Sequence, residues 1–465
     1  MYRHSLGIKM QYTPDIQKNM LSILEEQFSQ FREHLCERDV VSQNQVLPTL
    51  PMPEYGVGLN DFHTFFNQYI AGNLSASNGG RYWGFVTGGA NPCATLADWL
   101  VALFNQNVAQ RGDSIASELE QHTLAWLCEL FSLPDEFKGV FTTGATAANI
   151  LGALSARQYV GKLQGIDVAQ DGMAGMNFEI YTASPHASMI QSLGMAGFGQ
   201  KSWQKVRTLA NSEAMCVDSL AYMLSNSRCK GKIVVASAAT VTGTDYDDLK
   251  AISKLCQTHD AWLHVDAAFG IFERLLNGPK GKTEGIELAD SITLDCHKWL
   301  NVPYDCGVFL TRQPAYVVQT CDVQAPYLNT TSDQVNFRSM GIENSRRFRA
   351  LPVCATLIGY GKEGIKKQIH NNVLLAKEFA QWLDNSDKYE LVKPCELNVV
   401  LFCPGSSHPL KNVEACLAAI NASGRVFMTP GVWQGKPIIR AAFSNWVTTH
   451  SDIAKVTTLL QILTK

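Results

Sequence analysis

"SITLDCHKWLNVPYDCG", Ser291 to Gly307, sets a short apolar run against a lysine wedged between a histidine and a tryptophan. The first five residues read as a buried strand, and Lys298 follows three residues beyond its end. Burial disfavours an ammonium ion and leaves a nucleophilic amine, so a lysine placed there is either a chemical tool or a side chain whose head snorkels to solvent. The rest of the chain decides between the two.

The same kind of run recurs at "GVFTT" (139–143), "IVVASA" (233–238) and "WLHVDAA" (262–268), with helical stretches between several of them. Strands alternating with helices predict an α/β fold built on a mainly parallel sheet covered on both faces. Ligands of such sheets gather at the carboxyl ends of the strands. "GVFTTGATAAN" is a strand, a turn and a helix start, which aims the amides of Gly144, Ala145 and Thr146 and the Thr146 hydroxyl at one point suited to a phosphate. The turn spells neither GxxxxGK[ST] nor GxGxxG, so neither a nucleoside triphosphate nor a dinucleotide is favoured. Asp266 ends a run expected to be buried, and a buried carboxylate needs a cation. A phosphate cradle, an aspartate and a lysine at strand ends match the demands of pyridoxal 5'-phosphate (PLP): an anchor for its phosphate, an anion for its ring nitrogen and an amine for its aldehyde.

Composition agrees with a small-molecule partner. The 465 residues are 46% hydrophobic, and 39 basic side chains against 42 acidic ones give a net charge of −3. That balance offers no electrostatic footprint for nucleic acid or an anionic membrane. No run approaches the ~20 apolar residues of a membrane span, the N-terminus lacks a signal-peptide core, and a cytoplasmic location is the expectation. Thirteen cysteines without a CxxC pair are expected to be reduced packing residues.

Three segments are expected: an N-terminal helical arm over 1–90, a large coenzyme domain over 91–351 and a smaller αβ domain over 352–465, with strands at "NVVLFC" and "PIIRAAF". In the arm, Thr13 and Pro14 start a helix whose stripe is Ile16, Met20, Ile23, Leu24 and Phe28, a face suited to a second subunit or to its own domain. A second helix, capped by Asp113 or Ser114, is expected to bury Ile115, Leu119, Trp126 and Leu130.

"DCHKWLNVPYDCG" and "WLHVDAAFG" resemble the signature segments of the group II PLP-dependent amino acid decarboxylases, which include aromatic L-amino acid, tyrosine, glutamate and 2,4-diaminobutyrate decarboxylases. The likeness is collinear over about residues 80 to 450. It implies fold type I, like aspartate aminotransferase, and a homodimer. Carried over, it makes Lys298 the Schiff-base lysine and Asp266 the partner of the pyridine nitrogen. Ala268 and His186, in "TASPHASM", lie on the two ring faces; His297 helps hold the phosphate, and Thr240 approaches the ring oxygen. Tyr327, in "QAPYLNTT", matches a loop tyrosine that assists protonation after carbon dioxide leaves. Relatives with phenylalanine there tend toward aldehyde formation. Arg440 matches an arginine that meets the substrate carboxylate, and Arg346 a basic position of less defined role. Trp83, Phe85 and Thr87, in "RYWGFVTGG", resemble the side-chain pocket and tilt the substrate toward an aromatic amino acid.

Two departures from the family pattern stand out. The phosphate turn reads "TTGATAAN" where many relatives carry a Gly-Gly-Ser type sequence, and Asp295 stands where some have asparagine. The rival readings are aldehyde synthesis, another fold type I lyase, and a catalytically silent PLP-binding homologue. The retained Lys298, Asp266, His186 and Tyr327 argue against the last.

Overall fold

The computed structural model of the chain describes residues 11–42, 47–109, 114–322 and 336–465. Its central sheet has seven strands: β1 (Lys138–Thr142), β2 (Phe178–Thr182), β3 (Trp203–Lys205), β4 (Gly231–Ser237), β5 (Ala261–Asp266), β6 (Ser291–Asp295) and β7 (Gly307–Thr311). Their spatial order is β1-β7-β6-β5-β4-β2-β3. All neighbours are parallel except β7, which runs antiparallel to both β1 and β6. Two reversals across β7 restore the direction, so the carboxyl ends of β1, β4, β5 and β6 share one edge.

Both faces of the sheet are covered. Ile233, Val235 and Trp262 enter one apolar cluster with Ala153, Ala156 and Val160 of the helix Ala145–Lys162. Their neighbours Val234, Ala236, Leu263 and Val265 enter another with Leu249 and Ile252 of the helix Leu249–Thr258. A one-residue slip of β5 would exchange these faces, and burial of side chains this size contributes ~1.5–3 kcal/mol each, so the register is firmly set. In that register Trp262, His264 and Asp266 all lie on the face toward the helix Ala145–Lys162.

A second, antiparallel sheet holds β8 (Tyr389–Leu391), β9 (Val399–Pro404), β10 (Thr429–Trp433) and β11 (Lys436–Ala442) in the order β10-β11-β9-β8. Its core includes Trp83, Phe379, Phe402 and Phe443. Trp83 is fully buried, with its ring 4.5 Å from that of Phe443 and its indole N–H donating to the Gly80 carbonyl at 2.8 Å. It is therefore a core residue and lines no substrate pocket. Asn301 joins the parts: its Oδ1 accepts from the amides of Gly89 at 2.7 Å and Trp446 at 3.0 Å, and its Nδ2 donates to the carbonyls of Trp299 and Ser444 at 3.0 Å each.

Two helices add detail that the expectation lacked. In the helix Ala116–Leu130 the buried face includes Leu130 as expected but also Glu120, Thr123, Leu124 and Leu127, while Ile115 is 77% exposed. The Glu120–Arg346 ion pair at 2.7 Å sits inside the protein and turns that face inward. Ile115 rather than Ser114 occupies the N-cap position, although Ser114 Oγ accepts from the Ala116 amide at 3.3 Å; Asp113 lies outside the described residues. The helix Pro14–Glu33 starts as expected, with Thr13 accepting from Ile16, yet buries none of its residues, and Met20, Leu24 and Phe28 stay exposed. All thirteen cysteines are free. Among the described residues no helix is long and apolar enough to cross a membrane.

Candidate active site

The shared carboxyl edge opens into a cleft of about 700 Å³, closed on the far side by Pro430, Gly431 and Arg440 of the second sheet. Gly144, Ala145, Thr146, His186, Thr240, Asp266, Ala268, His297, Lys298, Arg440 and Phe85 all line it, although they come from widely separated parts of the chain. Thr87 does not: its side chain is buried and accepts from the Tyr304 hydroxyl at 3.3 Å. Tyr327 lies outside the described residues.

At the lysine end, Lys298 is partly open, with 19% of its side chain exposed, and its Nζ lies 3.0 Å from Asp295 Oδ2. The lone buried amine expected from sequence is thus an ion-paired one facing the cleft. Asp295 also accepts from the Ala145 amide at 2.6 Å, which places its carboxylate at the start of the helix Ala145–Lys162. The Gly144 amide turns back toward Thr142 Oγ1 at 3.4 Å rather than joining its neighbours. The next two amides, Thr146 and Ala147, have no acceptor among the described residues. His297 closes the turn: its Nδ1 accepts from the Cys306 amide at 3.2 Å, which leaves the ring proton on Nε2, 3.6 Å from Asp295. Burial, the largest influence, holds its pKa below the ordinary value. A side chain on Gly144 would press within 3.1 Å of that ring, so the close approach depends on glycine.

At the other end stands Asp266, 9% exposed and without a cationic partner among the described residues. Neutral donors hold it: Asn149 Nδ2 reaches Oδ2 at 3.0 Å, and the Ala268 amide reaches Oδ1 at 3.2 Å. His186 caps the helix Ala187–Met195, its Nδ1 accepting from the Ser188 amide at 3.2 Å. Burial keeps this imidazole below its ordinary pKa, in the combined field of Asp266, Lys298, Arg440 and Asp295. Thr240 Oγ1 accepts from the Asp245 amide at 3.0 Å and keeps its own proton free to donate.

The two arginines have different fates. Arg346 is 3% exposed and fully engaged with Glu120 and the carbonyls of Val108 and Phe141, away from the cleft. Arg440 reaches the cleft wall; it donates to the Val241 carbonyl and to Thr429 Oγ1, but its buried Nε has no partner and no carboxylate pairs with it among the described residues. Burial pushes its pKa down to about 10. A guanidinium so placed is short of an anion.

Asn149, Ser188, His264 and Tyr304 were not apparent as site residues from sequence. His264 precedes Asp266 by two on one strand and so shares its face, which was the available signal. Tyr304 lies against His297 with ring centroids 4.5 Å apart.

A carboxylate without a cation, first-turn amides without an acceptor and a lysine aimed into the same cleft meet the three demands of PLP, so the residues present fit that coenzyme. The fold agrees: the structure of Oryza sativa TDC with PLP and tryptamine superposes with a TM-score of 0.90 at 19% identity, covering 98% of this chain and 99% of that one. This is a PLP-dependent enzyme of fold type I. The model of the pyridoxal-dependent decarboxylase conserved domain matches residues 65–404, and the chain belongs to that family. The aromatic-L-amino-acid decarboxylase of Bacillus atrophaeus is 30% identical over 368 residues, 76% of this chain and 73% of that one. The phenylacetaldehyde synthase of Arabidopsis thaliana is 26% identical over 369 residues, 74% of each chain.

Proposed function

We propose that this PLP-dependent decarboxylase acts on an aromatic L-amino acid and releases the amine and carbon dioxide. The observation that carries the substrate class is the count of charge in the cleft. Its charged side chains, among the described residues, are Asp266, Asp295, Lys298 and Arg440. Asp266 and Lys298 would hold the ring nitrogen and aldehyde of the coenzyme, Asp295 stands at the phosphate turn, and Arg440 would take the substrate carboxylate. None remains for an acidic or basic substrate side chain. Phe85, 59% exposed at the cleft and 5.8 Å from the Phe427 ring, offers an aromatic surface instead.

Bound PLP supplies an electron sink for the pair left on the α-carbon when carbon dioxide departs. The chain's own residues prepare that event. Arg440 would take the substrate carboxylate, His186 and Ala268 would flank the coenzyme ring, and the Thr146 and Ala147 amides with His297 would hold the phosphate, the Ala145 amide being held by Asp295. Thr240 would donate to the ring oxygen. Tyr327 would return a proton to the α-carbon.

The test is a panel of amino acids assayed for carbon dioxide and amine with PLP added. Aromatic substrates are expected to lead; preference for glutamate or diaminobutyrate would overturn the substrate class. Tyr327→Phe bears on the outcome of the reaction. A positioned acid contributes ~10²–10⁴ in rate, so the variant should make amine that much more slowly and divert flux to aldehyde with oxygen uptake. Unchanged amine yield and rate would remove Tyr327 from the mechanism.

We further propose a homodimer. Leu21, Leu24 and Phe28 face Leu96 and Trp99 across an apolar groove of about 350 Å³. A second copy of the chain is the occupant this reading requires, and sedimentation showing a monomer at micromolar concentration would exclude it.

A further inference from the structure

Behind Asp266 runs a chain of hydrogen bonds whose direction is fixed at both ends. Asp266 as an anion only accepts, so the Asn149 atom 3.0 Å from its Oδ2 is the amide nitrogen. Asn149 therefore presents its Oδ1 to His264 Nε2 at 2.9 Å, and that ring nitrogen donates. Burial of His264 pushes its pKa down to about 4, so the ring is neutral and its Nδ1 accepts from the Ser291 hydroxyl at 2.8 Å. Ser291 Oγ in turn accepts from the indole N–H of Trp262 at 3.0 Å, a group that can only donate. Every link follows from the one before it.

The same asparagine has a second arm. Its Nδ2 also lies 3.3 Å from Ser188 Oγ, which sits 2.7 Å from His186 Nδ1. Because the Ser188 amide also points at Nδ1, that nitrogen is the acceptor, the hydroxyl donates, and the imidazole proton is on Nε2. One side chain thus touches the aspartate directly and the histidine through one serine.

The fold makes room for this arrangement at a cost. Gly152 lies within the helix Ala145–Lys162, one turn after Asn149, and a Cβ there would come within 2.3 Å of the His264 ring. Glycine is disfavoured in a helix interior relative to alanine, and here it leaves the slot that lets the imidazole reach Asn149.

We propose that Asn149, oriented by His264, is a positioning residue for the coenzyme: it holds Asp266 as a pure acceptor for the ring N–H and, through Ser188, sets the ring of His186. The proposal rests on the assignment of Asp266 to the ring nitrogen and adds to it the groups that enforce that role.

The experiment compares apoenzyme affinity for PLP with that for its carbon analogue, in which CH replaces the ring nitrogen. The parent is expected to prefer PLP, and Asp266→Asn to lose the preference. Asn149→Ala should cut the preference about tenfold, the worth of one charge-assisted hydrogen bond, while binding of the carbon analogue changes little. Gly152→Ala, whose Cβ would press on the His264 imidazole, should give a smaller shift of the same sign and serves if Asn149→Ala does not fold. Equal losses for both coenzymes in the Asn149 and Gly152 variants would reduce the network to a structural role and overturn the proposal. A parent without any preference would instead refute the assignment of Asp266 itself, and the proposal with it.

Discussion

Glu120 and Asp266 are both buried carboxylates at the central sheet, and they are satisfied in opposite ways. Glu120 is fully buried and has its own cation, Arg346, at 2.7 Å. Asp266 is nearly as buried and is held by an amide side chain and a backbone N–H, with no cation among the described residues. A buried charge without its counter-ion is costly, so a chain that leaves one there keeps a place for a cation from outside. Asp295 stands between the two cases: Lys298 is its partner at 3.0 Å, and on the proposed function that amine would be given up to the coenzyme.

The contrast can be broken at several points. Lys298→Ala carries the largest expected effect, loss of covalent coenzyme attachment and of activity to background. Borohydride reduction and peptide mapping should label the Lys298 peptide in the parent and nothing in the variant; a label on another lysine would end the assignment.

Arg346→Leu leaves Glu120 as an uncompensated buried charge and should destabilise the protein by ~3–5 kcal/mol in urea titrations. A change below ~1 kcal/mol would mean that Glu120 does not depend on its arginine.

Asp266→Asn should do the reverse, altering apoprotein stability little while lowering turnover. An ion pair at an effective dielectric near 20 is worth up to ~4 kcal/mol, which corresponds to ~10²–10³ in rate. Undiminished turnover and coenzyme affinity would show that Asp266 serves the fold alone.

The smallest effect is a pH dependence. His264 has a folded pKa of about 4, below its unfolded value of about 6.5. Between these values the unfolded chain binds the extra proton, so stability is present above pH 6.5 and is lost as the pH falls toward 4. The loss from pH 7 to pH 5 should be on the order of 2 kcal/mol, and the difference between parent and His264→Gln across that window isolates it. An identical pH slope in the two proteins would show that His264 does not titrate as the network requires.

What the sequence disclosed follows from how local the signals are. β6 and Lys298 were legible because a five-residue apolar run and the lysine after it are one continuous message. β7 is as apolar and as buried, but nothing in "GVFLT" says that it inserts antiparallel between β1 and β6. Trp83 misled because an aromatic side chain has no direction in a sequence; its indole N–H found the Gly80 carbonyl and its ring the core of the second sheet. Asn149 and Asp266 are 117 residues apart, and only the face shared by β5 and the helix Ala145–Lys162 brings them together. That Asp266 would be a buried carboxylate in need of a cation could be read from its place in a buried run, while the neutral groups that hold it could not.

Asn301 bears on how this enzyme could be recombined. Its four side-chain hydrogen bonds join the Gly89 segment, the loop that carries Lys298, and the Ser444–Trp446 segment just after β11, the strand of Arg440. Each of those partners is a backbone group, so the bonds specify chain path rather than side-chain identity. A chimera exchanging the C-terminal sheet with that of a relative must therefore preserve three backbone paths at once to keep Arg440 in the cleft that Lys298 lines. Crossovers placed between residues 89 and 301, or between 301 and 444, inherit that demand however similar the exchanged cores are.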